Sequence, residues 1–298
     1  MVVGSIPIAH PSISDAPVAQ RIEHRPPEPR VGGSNPLRRA RLFLLPFTLL
    51  AFVLLLPAAS RAWGASSTTG ASHATEIEAA AGFWRHEPSG GISDSGETLD
   101  LRNDLDYTKE NDIDARLKVH LPASLPDVYL MATFLRFQGE NSMSHPFVFG
   151  FPFQAGKPFT AETRLDHYDI AAIYSLVRPP ERGLFNVEAG INARVIHFQT
   201  SITQGGTTFA FTDTFVVPLL YIGARFRASS LIGLEAEARG MAFGTEHYLD
   251  LTGRVKFLVL KPLFVAAGYR YERMKISRRD LSMNGGFGGP FVEAGFDL

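Results

Sequence analysis

The chain has 298 residues, no cysteine and a formal net charge of −1. Its mean hydropathy of +0.02 is too low for a bundle of membrane-spanning helices. The missing cysteines exclude disulfides, thiolate metal sites and cysteine nucleophiles. Residues 1–65 hold seven arginines and three acidic residues, which leaves 22 basic against 27 acidic residues in 66–298. That part of the chain therefore presents no strong basic field for nucleic acid.

Residues 1–36 contain isolated prolines and no apolar periodicity, which predicts a disordered or spurious N-terminal extension. The run APVAQRIEHRPPEPRVGGSNPLRRA, residues 16–40, resembles the peptide obtained when a transfer-RNA gene is translated by mistake. This resemblance implies that translation starts further downstream, at Val31, Leu37 or Leu42.

Residues 37–64 have the three parts of a secretory signal peptide. A basic segment around Arg38 precedes an apolar core from Leu42 to Leu56, and small residues follow up to Gly64. The core of about 15 residues is shorter than the roughly 20 that a spanning helix needs, although a membrane anchor is the alternative. Residues 65–75 form a linker rich in Ser, Thr and Gly.

From Glu76 onwards, segments alternate between apolar and polar residues, as strands do when one face is apolar and the other polar. Ile113 and Ala115, for example, alternate with Asp114 and Arg116. Ten such segments occur: Glu76–Arg85, Asp112–His120, Val128–Gln138, Arg164–Val177, Gly183–Thr200, Phe215–Arg227, Leu231–Phe243, His247–Val259, Leu263–Lys275 and Pro290–Leu298.

The connections between these segments alternate in length. Those after the even-numbered segments are short, whereas the others are long except for Gly244–Glu246. The long ones are Glu87–Glu110, Gly139–Thr163, Ser201–Thr214 and Ser277–Gly286. Short periplasmic turns and long outer loops are typical of outer-membrane barrels, and full charges cannot lie unpaired in a dry sandwich core. The sequence therefore predicts an all-β, antiparallel transmembrane β-barrel over 76–298, with about ten strands and eight as the alternative count.

Several motifs in this order carry a family resemblance. They are AGFWRHEPSGGI, DLRNDLDY, LPDVYL, LDHYDIAAIYSL, VPLLYIGARF, AAGYRYERMKI and GGFGGPFVEAGF. Together they resemble the Gly-Gly type of small outer-membrane β-barrel proteins of Gram-negative bacteria, from Glu76 to Leu298. The resemblance implies location and fold, without an activity. One departure is the last residue, Leu298, because such barrels usually end on an aromatic residue that is recognised during insertion; here Phe296 lies two positions earlier.

The polar faces of the strands place charges of both signs on the predicted lumen side. With about ten strands the interior is close in size to small barrels that side chains fill, which favours a mutually neutralising plug over a narrow selective pore. The predicted lumen charges are Asp112, Asp114, Arg116, Lys118, Glu188, Arg194, Glu235, Glu237, Arg239, Asp250, Arg254, Lys256, Arg270 and Glu272.

Two further groups carry chemistry. His167 and Asp169 share a strand face near its predicted outer end, where they form either a rim hydrogen bond or the base and orienting acid of a hydrolase. Tyr269 and Tyr271 lie on the lipid face below Arg273 and Lys275, which predicts contact with lipid headgroups.

The expected function is a structural or passive role in the outer membrane, with a filled or narrow lumen. A small diffusion pore and a rim hydrolase acting on lipid A or peptide are the alternatives. No cofactor, metal ion or nucleic acid is expected, and no enzyme activity outside the hydrolase alternative. The expected partners are outer-membrane lipids, lipopolysaccharide and the barrel-assembly machinery through the C-terminal strand. The oligomeric state stays open.

Overall fold

The structure, a computed structural model, describes residues 76–94, 96–121, 125–176, 184–279 and 281–298. The expected extension, signal peptide and linker lie outside these residues. The strands of the first half are β1 Glu76–Asp94, β2 Glu97–Asp100, β3 Glu110–His120, β4 Asp127–Thr133, β5 Arg136–Asn141, β6 Phe147–Phe149, β7 Phe151–Phe153 and β8 Phe159–Ser175. Those of the second half are β9 Phe185–Gln204, β10 Thr207–Arg227, β11 Ile232–Phe243, β12 Glu246–Leu260, β13 Leu263–Arg278 and β14 Leu281–Asp297. Within the described ranges, no helix has the length and apolar character to cross a membrane.

Ten of these strands form a closed antiparallel wall. β1, β3, β4 and β8 to β14 pair in this order, and β14 returns to pair with β1. The last residue completes the seam, since the N–H of Leu298 donates to the carbonyl of Ile77 at 2.9 Å and the N–H of Ile77 donates back at 3.0 Å. The predicted fold class is confirmed with ten strands, and the count of eight is wrong.

Side-chain alternation sets the two faces of the wall. On β9, the outward-facing Ile191 is 68% exposed, whereas the inward-facing Asn192 and Arg194 are 3% and 0% exposed. The same pattern on the other strands surrounds the barrel with exposed apolar side chains. Examples are Phe83, Ile113, Ile170, Val216, Leu220, Ile222, Leu251, Phe257, Val265, Tyr269 and Val292.

Two connections predicted to be long are strand for most of their length. β9 and β10 continue through Ser201–Thr214 and meet at Gly205 and Gly206, whose φ angles are +57° and +85°. Positive φ at both central positions is the signature of a type I′ turn, whose twist matches that of the flanking strands. β13 and β14 likewise occupy most of Ser277–Gly286. The loop prediction is wrong at these two places because the strands continue far beyond the apolar outer face, through alternating Thr and Phe residues on β10 and through Leu281 and Met283, buried side chains of β14.

The wall is completed on one side by a loop. β4 ends at Thr133, and the following strand β5 pairs with β8 but not with β3. The loop 101–109 lies against β5 at this point: the Asn141 amide nitrogen donates to the carbonyl oxygens of Asn103 and Asp104, both at 3.0 Å. At Gly139, a Cβ atom would lie only 2.0 Å from the carbonyl oxygen of Leu105. Glycine therefore allows the loop backbone to close onto the strand.

Candidate functional site

The predicted lumen charges lie together on the inner face of the barrel, and most of their side chains are buried. Near the end of the barrel that holds Glu76 and Leu298, Arg116 donates two hydrogen bonds to Glu293, from Nε to Oε2 at 3.1 Å and from Nη2 to Oε1 at 2.8 Å. The same guanidinium also contacts Glu78. The Lys256 ammonium lies 2.8 Å from the other Glu78 oxygen. Each carboxylate is thus shared between cations, which offsets the cost of burying them.

The network continues around the lower lumen. Lys118 pairs with Glu188, and Arg254 Nη2 lies 3.0 Å from Glu237 Oε1. Arg239 donates to the second oxygen of Glu237 at 2.7 Å. Arg254 also lies 3.7 Å from Glu235. Charged side chains of both signs therefore fill this part of the interior.

A second network occupies the middle of the lumen. Arg194 donates to both oxygens of Asp169, at 2.8 and 2.9 Å, and to Asp250 at 2.7 Å. Arg270 also donates two hydrogen bonds to Asp250, from Nε to Oδ1 at 3.0 Å and from Nη2 to Oδ2 at 2.7 Å. Its Nη2 lies 3.2 Å from Oε2 of Glu272. Two guanidinium groups and three carboxylates form one hydrogen-bonded layer across the barrel.

His167 and Asp169 belong to this layer and not to the rim. His167 is fully buried, and its Nε2 lies 3.4 Å from Arg270 Nη2 and 3.5 Å from Glu272 Oε2. The predicted rim position is wrong because β8 continues outwards from His167 to Phe159, and its inward-facing Phe159, Ala161 and Leu165 are buried in an apolar cluster. Asp169 binds Arg194 and Asn192, and no bond between Asp169 and His167 is formed. The pair is therefore not arranged as a base with its orienting carboxylate.

Two of the predicted lumen acids, Asp112 and Asp114, lie outside the two arginine-centred networks. Asp112 accepts a bond from the backbone N–H of Arg136 at 2.8 Å and lies 3.0 Å from His86 Nε2, so it fills the place where β4 leaves the wall. Asp114 is deeper, and its Oδ1 is buried without a hydrogen-bond partner among the described residues. Neither residue joins the two arginine-centred networks through a direct bond.

Above the ionic layers, the outer half of the lumen is closed by an apolar cluster. The hairpin of β6 and β7 contributes Phe147, Phe149 and Phe153, all at most 2% exposed. Phe147 stacks on Phe153 with ring centroids 4.6 Å apart, and Phe149 meets Phe209 of β10 edge-on at 5.2 Å. Further members from the wall and the first loop include Ile92, Leu99, Leu101, Leu105, Tyr107, Leu135, Phe137, Phe159, Met274, Met283, Phe287 and Phe291.

Polar contacts hold this hairpin in the barrel mouth. The Gly150 N–H donates to Asp94 Oδ2 at 2.7 Å, which ties the hairpin turn to β1. Gln204 at the tip of β9 accepts from the Gln154 N–H at 2.7 Å and donates to the carbonyls of Gln154 and Lys157. Asp94, the last residue of β1, thus has a structural partner.

The sequence pattern missed several groups that complete the lumen. Glu78 and Glu293 occupy the polar register of their strands, so strict alternation would have found them. The inward-facing aromatic residues were missed because aromatic side chains count as apolar in such a pattern. Tyr248 accepts from Arg194 at 2.7 Å and donates to Glu272, while Tyr129 and Tyr221 lie beneath Arg239, with ring centroids 5.0 and 5.2 Å from its guanidinium carbon. Trp84 lies under Arg270 at 4.7 Å.

On the outer face, the four residues predicted to contact lipid follow one another along β13. Tyr269 is 57% and Tyr271 36% exposed, and Arg273 and Lys275 follow towards the outer end on the same face. A Cβ atom on Gly288 of β14 would lie 3.1 Å from the Tyr269 hydroxyl and 3.2 Å from Tyr271, so both rings lie close to the glycine strand. On their other side is a groove of about 460 Å³, whose lining includes Ala236, Ala238 and Gly253.

Comparison with known proteins gives likenesses of fold only. No family model matches the chain, and no curated protein sequence matches it either. Among solved structures, the chain is similar to Ail of Yersinia pestis, crystallised with the heparin analogue sucrose octasulfate, at 8% identity and a TM-score of 0.36, covering 75% of this chain and 99% of Ail. It is also similar to the translocator domain of the autotransporter NalP from Neisseria meningitidis, at 13% identity and a TM-score of 0.39, covering 81% and 92%. A third is the transport unit of AIDA-I from Escherichia coli, at 10% identity and a TM-score of 0.36, covering 78% and 92%.

Proposed function

We propose that this chain is an outer-membrane β-barrel of a Gram-negative envelope, with a structural or passive role and a filled lumen. The observation that carries this proposal is the two-level filling of the interior. Ion pairs centred on Arg116 and Arg194 occupy the lower and middle lumen, and the apolar cluster with the β6–β7 hairpin closes the outer end. A conducting barrel needs a continuous aqueous path, which such packing opposes.

The outer face supports a membrane location. Side chains such as Leu220, Ile191 and Val292 are 68%, 68% and 57% exposed, and they belong to a belt around the wall. Soluble proteins rarely expose apolar patches above a few hundred Å², whereas barrel strands in lipid carry an apolar band about 25 Å tall. The short connections 228–231 and 261–262 and both ends of the wall lie at one end, which corresponds to the periplasmic side. The Gly-Gly type resemblance of the sequence agrees with this location.

Cell fractionation and heat modification test the location and fold. A closed barrel is expected to sediment with outer membranes and to migrate faster in a detergent gel before boiling than after it. Recovery in the soluble periplasmic fraction would contradict the proposal.

Proteoliposome swelling tests the filled lumen against the alternative of a small diffusion pore. Vesicles that contain the purified barrel are expected to swell in isotonic arabinose no faster than protein-free vesicles. Swelling that increases with the amount of barrel would support the pore. The geometry supports the hydrolase alternative less well, because His167 is fully buried and Asp169 bonds Arg194.

We also propose that the outer face of β13 binds lipopolysaccharide. The support is the order of residues along β13 towards its outer end. Arg273 and Lys275 can pair with lipid phosphate groups, and Tyr269 and Tyr271, which precede them, are typical of the membrane interface. The groove beside the tyrosines can take an acyl chain. Arg273→Ser with Lys275→Ser is expected to reduce the lipopolysaccharide that copurifies with the barrel. Arg164→Ser on β8, halfway around the wall, is the matched control. Equal copurification in both variants would contradict the site.

A third proposal concerns assembly through β14. Phe296 and Leu298 are 44% and 51% exposed on the outer face at the seam with β1, where assembly factors would reach them. Leu298→Phe is expected to raise the fraction of chain that reaches the heat-modifiable form in cells, whereas Leu263→Phe on β13 leaves it unchanged. A rise with both substitutions would indicate a general hydrophobic effect and not recognition of the C-terminal strand.

A further inference from the structure

The outer half of β10 is a strand edge without a neighbour. β10 pairs with β11 only from Leu220 to Arg227, because β11 turns back at Phe243 into β12. On its other edge β10 pairs with β9 along its whole length, up to the pair Thr207–Gln204. No described residue makes a backbone bond to the free edge between Thr207 and Leu219. The wall therefore has a gap above the β11–β12 hairpin.

The register identifies the backbone groups that this edge presents. A two-residue turn makes Gln204–Thr207 a hydrogen-bonded pair, and pairs then alternate, so every second residue from Thr208 directs its N–H and C=O away from β9. Pro218 falls in this set, which agrees with the rule that proline is tolerated only where no ladder bond is lost. The free donors and acceptors belong to Thr208, Ala210, Thr212, Thr214 and Val216.

The devices that normally protect an edge are sparse here. The outward side chains from Thr208 to Val216 are uncharged and exposed, and no lysine or bulge interrupts the row. On the inner side, Phe209, Phe211 and Phe215 are only partly buried against the apolar cluster. Asp213 lies between Phe211 and Phe215 on the same side, and no described residue pairs with its carboxylate.

We propose that this edge binds an extended segment of another polypeptide by strand addition. The segment would place apolar residues opposite Phe211 and Phe215, and a lysine or arginine opposite Asp213. Main-chain bonds to the free row supply affinity, and the alternating side chains supply selectivity. A second copy of this chain fits this edge less well, for two reasons. Copies in one membrane have the same orientation, so their β10 strands would have to pair in parallel. Each copy also brings Asp213, so two carboxylates and no cation would meet. The first reason rests on the proposed membrane location.

Fluorescence anisotropy of a labelled, end-capped peptide, Thr-Val-Thr-Lys-Thr-Val-Thr, on the detergent-folded full chain tests the proposal. We expect saturable binding that Thr212→Pro weakens about tenfold or more, since it removes a central edge donor, while Thr212→Ser leaves binding unchanged. The Thr212 N–H does not bond to β9, so the proline variant is expected to keep its heat-modifiable mobility.

A charge exchange provides a second test that needs no backbone change. Asp213→Lys is expected to lose preference for the lysine peptide and to prefer the same peptide with Glu at the central position. Absence of saturable binding by wild type overturns the proposal, as does equal binding by Thr212→Pro or unchanged preference in Asp213→Lys. Cross-linked dimers that form through this edge and vanish in Thr212→Pro would assign it to a second copy and also overturn it.

Discussion

Arg194 of β9 holds Asp169 of β8 through two parallel hydrogen bonds, from Nε to Oδ1 at 2.8 Å and from Nη2 to Oδ2 at 2.9 Å. Both side chains are buried, at 0% and 3% exposure. The bidentate geometry fixes the orientation of both groups, and the remaining guanidinium donors reach Asp250 and Tyr248. One arginine thus connects three strands across the lumen.

Removal of this arginine is expected to be costly. Arg194→Met leaves Asp169 without its main partner in the interior, which should lower the free energy of unfolding by about 3–5 kcal/mol. The double variant Arg194→Met with Asp169→Asn should recover part of that loss, because the uncompensated charge is gone. Urea unfolding in lipid vesicles, followed by Trp84 fluorescence, measures both. Arg273→Met on the outer face is the control. An equal loss of unfolding free energy in that variant would contradict the role of Arg194 as the centre of a buried ionic network.

The apolar closure makes a separate contribution to stability. Phe153→Ala should cost about 3–5 kcal/mol, because the ring stacks within the buried cluster and leaves a cavity. Val148, on the same hairpin, is 49% exposed, and Val148→Ala should change stability by less than about 0.5 kcal/mol. Unfolding curves that coincide for the two variants would mean that the hairpin does not pack in the barrel mouth in solution.

Two glycines should respond oppositely to an added methyl group. At Gly289 a Cβ atom would lie 1.8 Å from the carbonyl oxygen of Arg85 on β1, whereas at Gly253 no atom lies within 4 Å. Gly289→Ala should therefore prevent closure of the β1–β14 seam and abolish the heat-modifiable band. Gly253→Ala should leave it intact. Normal closure of Gly289→Ala would show that the seam is not packed as described.

Tyr107 on the outer loop gives a pH-dependent prediction. Burial raises the pKa of its phenol well above the usual value, although the hydrogen bond with Thr163 opposes this and Glu162 adds a smaller increase. The unfolded chain loses the phenol proton near pH 10, whereas the folded chain keeps it. The stability that Tyr107 contributes is therefore fully present below pH 10 and is lost as the pH rises towards the folded-state pKa. Relative to Tyr107→Phe, wild type should lose about 1.4 kcal/mol of unfolding free energy per pH unit above 10. A pH-independent difference between the two proteins would contradict the burial.

The sequence alone predicts well the half of the wall that has an apolar outer face, for a physical reason. Each strand there has one apolar and one polar face, so residues such as Ile191 and Arg194 reveal their sides by alternation. The ten-stranded antiparallel barrel follows from that repeat. Above the apolar belt the contrast reverses: on β10, Phe209, Phe211 and Phe215 face the inner apolar cluster, whereas the outward side chains are mostly threonines. The pattern of an apolar outer face therefore predicts loops where the outer strand ends lie.

The depth of the site could not be predicted for the same reason. The sequence pattern places His167 at the rim because the predicted segment begins at Arg164, whereas β8 begins at Phe159. Partners across the lumen, such as Tyr248 for Arg194, depend on how strands far apart in the chain face each other. Alternation assigns a side to each residue, but it contains no information on which opposite strand that residue meets.

Ionic current across a planar lipid bilayer tests the filled lumen most directly, since ions pass through openings too narrow for sugars. Purified barrel with verified heat-modifiable mobility should insert without raising the current above that of lipid alone, across the range of applied voltages. Stable unitary current steps that scale with protein and disappear on boiling would contradict a filled barrel and assign the chain as a pore.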